Sequence, residues 1–184
     1  PRHQGGAVMT ERSARTFGRG PTPAVSDMLQ VVFGLELAAP SRRIWIVAPW
    51  QSDIPVLDNR SGEFSAVGPG WPLRSIRLSE VLAASLDRGS TATVVMNDDP
   101  SNLPMRSATE TLEARYPDRC RMIIAEQVHE KGIVTDHAYL SGSMNWTFNG
   151  QKVNLEKVGL ATDPATIAVQ QVELSGLYPW DGVA

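Results

Sequence analysis

Four side chains in the last third of the chain have types and spacing that could do chemistry together. His129 and Lys131 stand two residues apart, and Ser143 and Asn145 repeat that spacing farther on. Residues 128–136 alternate in character, and a β-strand sends alternate side chains to opposite faces. His129 and Lys131 are therefore expected on one face of a strand. If the two segments pair as a hairpin, an imidazole, an ammonium, a hydroxyl and an amide converge. That set suits a phosphate: one ring nitrogen can attack phosphorus while the other groups hold its oxygens. Of the remaining histidines, His3 lies in an N-terminal stretch without periodicity, and His137 follows Asp136 in an expected turn. A Zn²⁺ site built from His129, His137 and a carboxylate would lack the helical i,i+4 spacing or the cysteine pairs of metal motifs. Asp98 and Asp99 are adjacent carboxylates, but turns recruit Asp for local hydrogen bonds. No metal and no other cofactor is expected.

His129, Lys131, Asp136, Gly142, Ser143 and Asn145 together resemble the HKD signature of the phospholipase D superfamily, H-x-K-x(4)-D-x(6)-G-S-x-N. Asn154-Leu-Glu156 is similar to the N-x-E element that follows it in the bacterial nuclease branch. In this chain five residues separate Asp136 from Gly142 where the signature has six, so the connection is one residue shorter. The resemblance implies metal-independent phosphodiester hydrolysis through a phosphohistidine. His129 would attack phosphorus, Lys131 and Asn145 would hold the non-bridging oxygens, Ser143 would donate a hydrogen bond, and Glu156 would fix the imidazole tautomer. Asp136 and Gly142 would be structural. The superfamily site uses two signatures, and this chain has one, so the resemblance implies a C2 homodimer with both copies at the interface. The segments Trp45-Ile-Val-Ala-Pro-Trp50 and Gly142-Ser-Met-Asn-Trp-Thr-Phe-Asn-Gly150 also resemble phospholipase D-like proteins encoded with bacterial anti-phage systems. Other subunits of such a system are candidate partners. DNA or RNA is the favoured substrate. A nucleic-acid-binding or assembly subunit with little chemistry, or a lipid phosphodiesterase, are the alternatives.

Composition agrees with an ordinary globular protein. The 184 residues are 42% hydrophobic and 20% charged, with a net charge of −3. That length suggests one domain with a full core. The negative total means that nucleic acid would have to meet a local basic patch rather than the overall field. One cysteine, Cys120, rules out a disulfide within the chain and fits a reducing cytoplasm. Its neighbours Arg119 and Arg121 could lower its pKa. No apolar run approaches the ~20 residues of a membrane span, and residues 1–6 show no signal-peptide core; no membrane partner is expected.

The elements that must position the site follow from periodicity and punctuation. Residues 1–22, with Arg2, Arg12, Arg15 and Arg19 against Glu11, read as an N-terminal arm, and 23–184 as a single domain. Pro23–Ala39 reads as a helix with Leu29, Val32, Phe33 and Leu37 near one face. Arg43–Ala48 reads as a buried strand. Just past its end come Trp50 and Asp53, a usual place for site residues in α/β folds. Residues 51–76 read as a long loop, and Arg60, Arg74 and Arg77 are candidates for a phosphate-contacting rim with Trp50 and Asp53. Ser79 is expected to cap a helix to Arg88, closed by Gly89. A strand at Thr91–Met96, a turn at 97–100, a helix from Leu103 or Met105 to Tyr116, and a strand at Arg121–Ala125 lead into the hairpin. A strand at Val153–Ala161 and a helix from Asp163-Pro164, with Ala165, Ala168 and Val172 periodic, complete the chain. The tail from Leu177 to Trp180 is expected to pack down. This alternation predicts an α/β fold: a mixed β-sheet with helices on both faces, which the resemblance makes a phospholipase D-like α-β-α sandwich.

Overall fold

A computed structural model describes residues 11–15, 23–68, 70–147 and 157–180. In chain order these form β1 (Glu11–Arg15), α1 (Pro23–Ala38), β2 (Arg43–Val47), β3 (Pro55–Asp58), β4 (Ser75–Arg77), α2 (Leu78–Asp87) and β5 (Thr91–Asn97). A 3-10 turn at Pro100–Asn102 then leads into α3 (Leu103–Arg115), β6 (Cys120–Ala125), β7 (Gly132–Val134), β8 (Tyr139–Gly142), β9 (Lys157–Ala161) and α4 (Pro164–Leu177).

The run from Ile44 to Ala48 is apolar at every position, which only a strand covered on both faces can bury. β2 is that strand. It lies between β7 and β5 in a sheet ordered β1-β9-β8-β7-β2-β5-β6. β2, β5 and β6 are parallel, joined through α2 and α3; the β7–β8–β9–β1 half is antiparallel. The pleat divides the apolar residues between two layers. Ile44, Ile46 and Ala48 face the larger core, with Val32 and Phe33 of α1, Val81 and Leu82 of α2, and Met105 and Leu112 of α3. Trp45 and Val47 face the other way, onto Ile167 and Leu174 of α4. The sheet is mixed and carries helices on both faces, as the element order predicts.

Several local readings needed tertiary information. Glu11–Arg15 is a strand, paired along its length with β9. Nothing in its composition marks it. Residues 51–76 are not loop throughout, because β3 and β4 form a small antiparallel sheet of their own. On α4 the periodic set Ala165, Ala168 and Val172 is exposed, and the larger Ile167 and Leu174 take the buried face. The tail does pack down at Tyr178, whose ring lies 6.5 Å from that of Trp45. Among the described residues no helix is long and apolar enough to cross a membrane.

Ser79 is not the cap of α2. The cap position is Arg77 and the helix starts at Leu78, two residues earlier than a Ser79 cap would place it, and Ser79 becomes its second residue. The backbone N–H of Arg77 then donates to Glu80, 2.9 Å away, the returning half of a capping box.

Candidate active site

The hairpin forms, but its first strand is short. β7 begins at Gly132, paired with Val47 of β2, and pairs with β8 in the register Gly132↔Ser141 to Val134↔Tyr139. His129 and Lys131 therefore precede the strand instead of alternating along it. The ladder stops because β2 has no more to offer: the Ala48 N–H turns to the Val95 carbonyl on β5, 3.2 Å away, and Pro49 has no N–H. The backbone is held in another way. The Val128 N–H donates to Asn97 Oδ1 at 2.8 Å, and the Val128 side chain is buried against Trp45, Val47 and Val95. The Lys131 carbonyl accepts the Gly142 N–H at 3.3 Å.

This geometry brings both halves of the expected site to one end of the sheet. His129 and Lys131 come just before β7; Ser143 and Asn145 come just after β8. His129 is exposed, Lys131 and Asn145 are half-buried, and the Lys131 ammonium lies 3.4 Å from the His129 carbonyl. Glu130 is close enough to Glu173 of α4 to feel its charge. Its carboxyl is pushed up by burial first and by Glu173 second. Among the described residues Asn145 Oδ1 is buried with no hydrogen-bond partner. A buried, unused acceptor costs free energy and calls for a reason; at this position it is hydrogen-bonding capacity left over at the sheet end. Asn145 is followed by Trp146, fully buried, whose indole N–H donates to the Val47 carbonyl at 3.1 Å. Glu156 and Asn154 lie outside the described residues.

Ser143 also has a structural task. Its N–H donates to the Lys157 carbonyl and its hydroxyl accepts the Lys157 N–H, both at 3.0 Å, which closes β8 onto β9. The close approach depends on Gly142. Its φ is +155°, and a Cβ there would run into the Lys157 carbonyl. Gly142→Ala is expected to cost about 2–3 kcal/mol through forced separation of the two strands. Gly176, on α4, has nothing within 4 Å of a built Cβ. Gly176→Ala should be neutral or stabilising by up to about 1 kcal/mol. Thermal melts of the two variants side by side test this, and equal melting temperatures would contradict it.

Asp136 sits at the far end of the hairpin, in the turn between β7 and β8 and not on a strand. Its carboxylate accepts the Arg42 N–H at 2.9 Å and the Gln171 side-chain amide at 2.9 Å. Its own N–H donates to Ser41 Oγ, whose hydroxyl in turn donates to the buried Glu36 at 2.6 Å. Burial pushes the Glu36 carboxyl up, against the Ser41 hydrogen bonds. Asp136 thus ties the turn to the start of β2 and to α4. His137, beside it, contacts the Ala39 carbonyl through Nε2 at 2.7 Å.

The expected rim has mostly internal partners. The Asp53 carboxylate accepts the Ser79 N–H and hydroxyl, at 2.9 and 2.8 Å, and so serves the first turn of α2. The Asp53 carbonyl accepts from Arg77 at 2.7 Å. Arg74 forms a two-point pair with Glu80, both bonds at 2.9 Å, and Arg60 pairs with Asp58. Trp50 differs. It is 42% exposed, its indole N–H donates to Asp99 at 3.1 Å, and it lies at the same sheet end as Asn97.

Cys120 is not activated. Its thiol is buried and pushed up to about 12, by burial first and by Glu113 second. The flanking arginines turn away: Arg119 donates to the Leu86 carbonyl and Arg121 to that of Pro179, each at 2.6 Å.

Neither protein-family models nor curated proteins match this sequence. Solved structures do match its shape. The phospholipase D family member Nuc from Salmonella typhimurium superposes with a TM-score of 0.57 at 14% identity, covering 90% of this chain and 93% of Nuc. Phosphatidylserine synthase from Haemophilus influenzae gives 0.55 at 14% identity, covering 93% of this chain and 38% of the synthase. TrmBL2, an archaeal chromatin protein whose structure shows a novel mode of DNA binding, gives 0.51 at 12% identity. That match covers 92% of this chain, which spans about half of TrmBL2, 52%. The fold is that of phospholipase D family proteins.

Proposed function

We propose that this chain is a metal-independent phosphodiesterase that cleaves nucleic acid through a phosphohistidine on His129. The observation that carries the proposal is the placement of His129 and Lys131 before β7 and of Ser143 and Asn145 after β8, at one end of a phospholipase D-like fold. A His129 ring nitrogen attacks phosphorus and the bond to the leaving oxygen breaks. Lys131 and Asn145 hold the non-bridging oxygens, where charge develops. The leaving oxygen takes a proton from the same histidine of a second copy. Water then attacks the phosphohistidine, gives its proton to that second histidine, and frees the imidazole. The site is thus shared by two copies of the chain. Ser143 keeps the end of β8 on β9 while Asn145 reaches the phosphate, and Glu156 holds the imidazole tautomer. The resemblance to proteins of anti-phage systems carries the expectation of further subunits as partners.

Nucleic acid is favoured over lipid by extent. The chain spans nearly all of Nuc but well under half of phosphatidylserine synthase. The TrmBL2 likeness and the shortened Asp136–Gly142 connection favour a second reading: a DNA-binding subunit with little chemistry.

The test is incubation of the purified protein, in excess EDTA, with single- and double-stranded DNA and RNA and with phosphatidylcholine vesicles. Cleavage of a nucleic acid is expected. Binding to DNA without cleavage establishes the second reading, and turnover of lipid alone moves the substrate class. Cleavage abolished by EDTA contradicts the metal-free mechanism.

A further inference from the structure

We propose that Asn97 is a positioning residue for His129, a role that rests on the phosphodiesterase reading above. β2 and β5 end side by side, and buried side-chain amides meet the backbone carbonyls at their ends. Gln51 donates its amide to the Ala48 and Val95 carbonyls, at 3.1 and 2.5 Å. Asn102 donates to the Pro49 and Asn97 carbonyls, both at 2.9 Å, and accepts the Gln51 N–H at 2.6 Å. Gln51 and Asn102 are fully buried. From this frame two bonds reach outward. Asn97 Oδ1 takes the Val128 N–H, one residue before His129. The Ser52 N–H donates to the Trp146 carbonyl at 2.7 Å, one residue after Asn145, beside a Gln51–Trp146 bridge. One amide frame thus sets the spacing between the nucleophile segment and the oxygen-binding segment.

The reason that an amide is needed is topological. The segment before β7 has left the ladder, so Val128 has no strand partner, yet it is buried. A buried N–H must be paired. An apolar residue at position 97 would leave the Val128 N–H unpaired and let the His129 backbone move. Misplacement of a reacting group by about 1 Å costs on the order of 10²-fold in rate. Asn97 need not touch substrate for this.

The test compares wild type, Asn97→Ala and Asn97→Asp, the last keeping an acceptor oxygen, on a single-stranded DNA oligonucleotide in excess EDTA. For Asn97→Ala, kcat is expected to fall on the order of 10²-fold with KM unchanged, and Asn97→Asp should restore most of it. A second readout is histidine-selective NMR, with the His129 ring assigned by its loss in His129→Ala. Its resonances should broaden or split in Asn97→Ala, stay single in Asn97→Asp, and leave those of His137 unchanged. Wild-type kcat in Asn97→Ala, or an undisturbed His129 resonance, overturns the proposal. If Asn97→Ala does not fold, Asn97→Asp decides alone: lost kcat or a disturbed His129 ring overturns it. If wild type cleaves nothing, the functional reading fails, while the NMR comparison still decides whether Asn97 holds the histidine.

Discussion

Replacing His129 with alanine is expected to reduce phosphodiester cleavage by at least about 10³-fold, because the proposed mechanism loses its nucleophile. The fold should be untouched. His129 is exposed, and the hydrogen bond described at this residue uses its backbone carbonyl, which alanine keeps. Exposed substitutions of this kind usually change stability by less than about 0.5 kcal/mol. His137→Ala is the matched control. It removes the other histidine of the hairpin, at the opposite end of β7 and β8, where the ring contacts the Ala39 carbonyl. Its cleavage rate should stay at the wild-type level. Initial rates for the three proteins, with a melt of each, are the measurement. Acid-labile label retained on wild type but not on His129→Ala, after quenching with phosphate-labelled substrate, would identify the phosphohistidine. Equal rates for wild type and His129→Ala would remove His129 from the chemistry.

Trp146→Ala should be among the most destabilising single changes in the chain, at about 3–5 kcal/mol. The indole is fully buried in the larger core, and its N–H satisfies the carbonyl of the last residue of β2. Alanine would leave a cavity and would also remove a buried hydrogen bond to that carbonyl, and the two costs add. The consequence reaches the site, since Asn145 stands one residue before this anchor. Trp146→Phe keeps most of the volume and loses the N–H, so it should lie between wild type and Trp146→Ala. Trp50→Ala, at an exposed ring, should cost far less. Urea titrations check the order; the midpoint should shift while the slope holds, as for a change confined to stability. A Trp146→Ala midpoint equal to that of Trp50→Ala would show that the anchor does not matter.

Much of this was legible because the physics is local. The apolar run at Ile44–Ala48 can only be a strand covered on both faces, and it became the centre of the sheet between two cores. Pro40, Gly89 and Pro117 stopped helices near where the structure ends them. Other features depend on partners distant in sequence. β1 exists through its pairing with β9, nearly 150 residues away, which no window of residues 11–15 reveals. The partners of Asp53, Arg74 and Arg77 at the start of α2 were equally invisible, because Asp53 lies 26 residues from the Ser79 it serves.

The site divides along the same line. Residue type and two-residue spacing made His129, Lys131, Ser143 and Asn145 the candidates, and the hairpin expected between them forms. The reason given, strand alternation, holds only from Gly132 onward. What gathers them is the end of β2: its ladder runs out at Val47, so the chain before β7 is held by Asn97 and the chain after β8 by Trp146. The sequence by itself determined which chemical groups the proposed site could draw on and the α/β order that carries them, since composition and periodicity are properties of neighbours along the chain. Only the tertiary structure decided where those groups sit, because hydrogen bonds between residues 31 to 99 positions apart set their places, and such pairings leave no trace in local pattern.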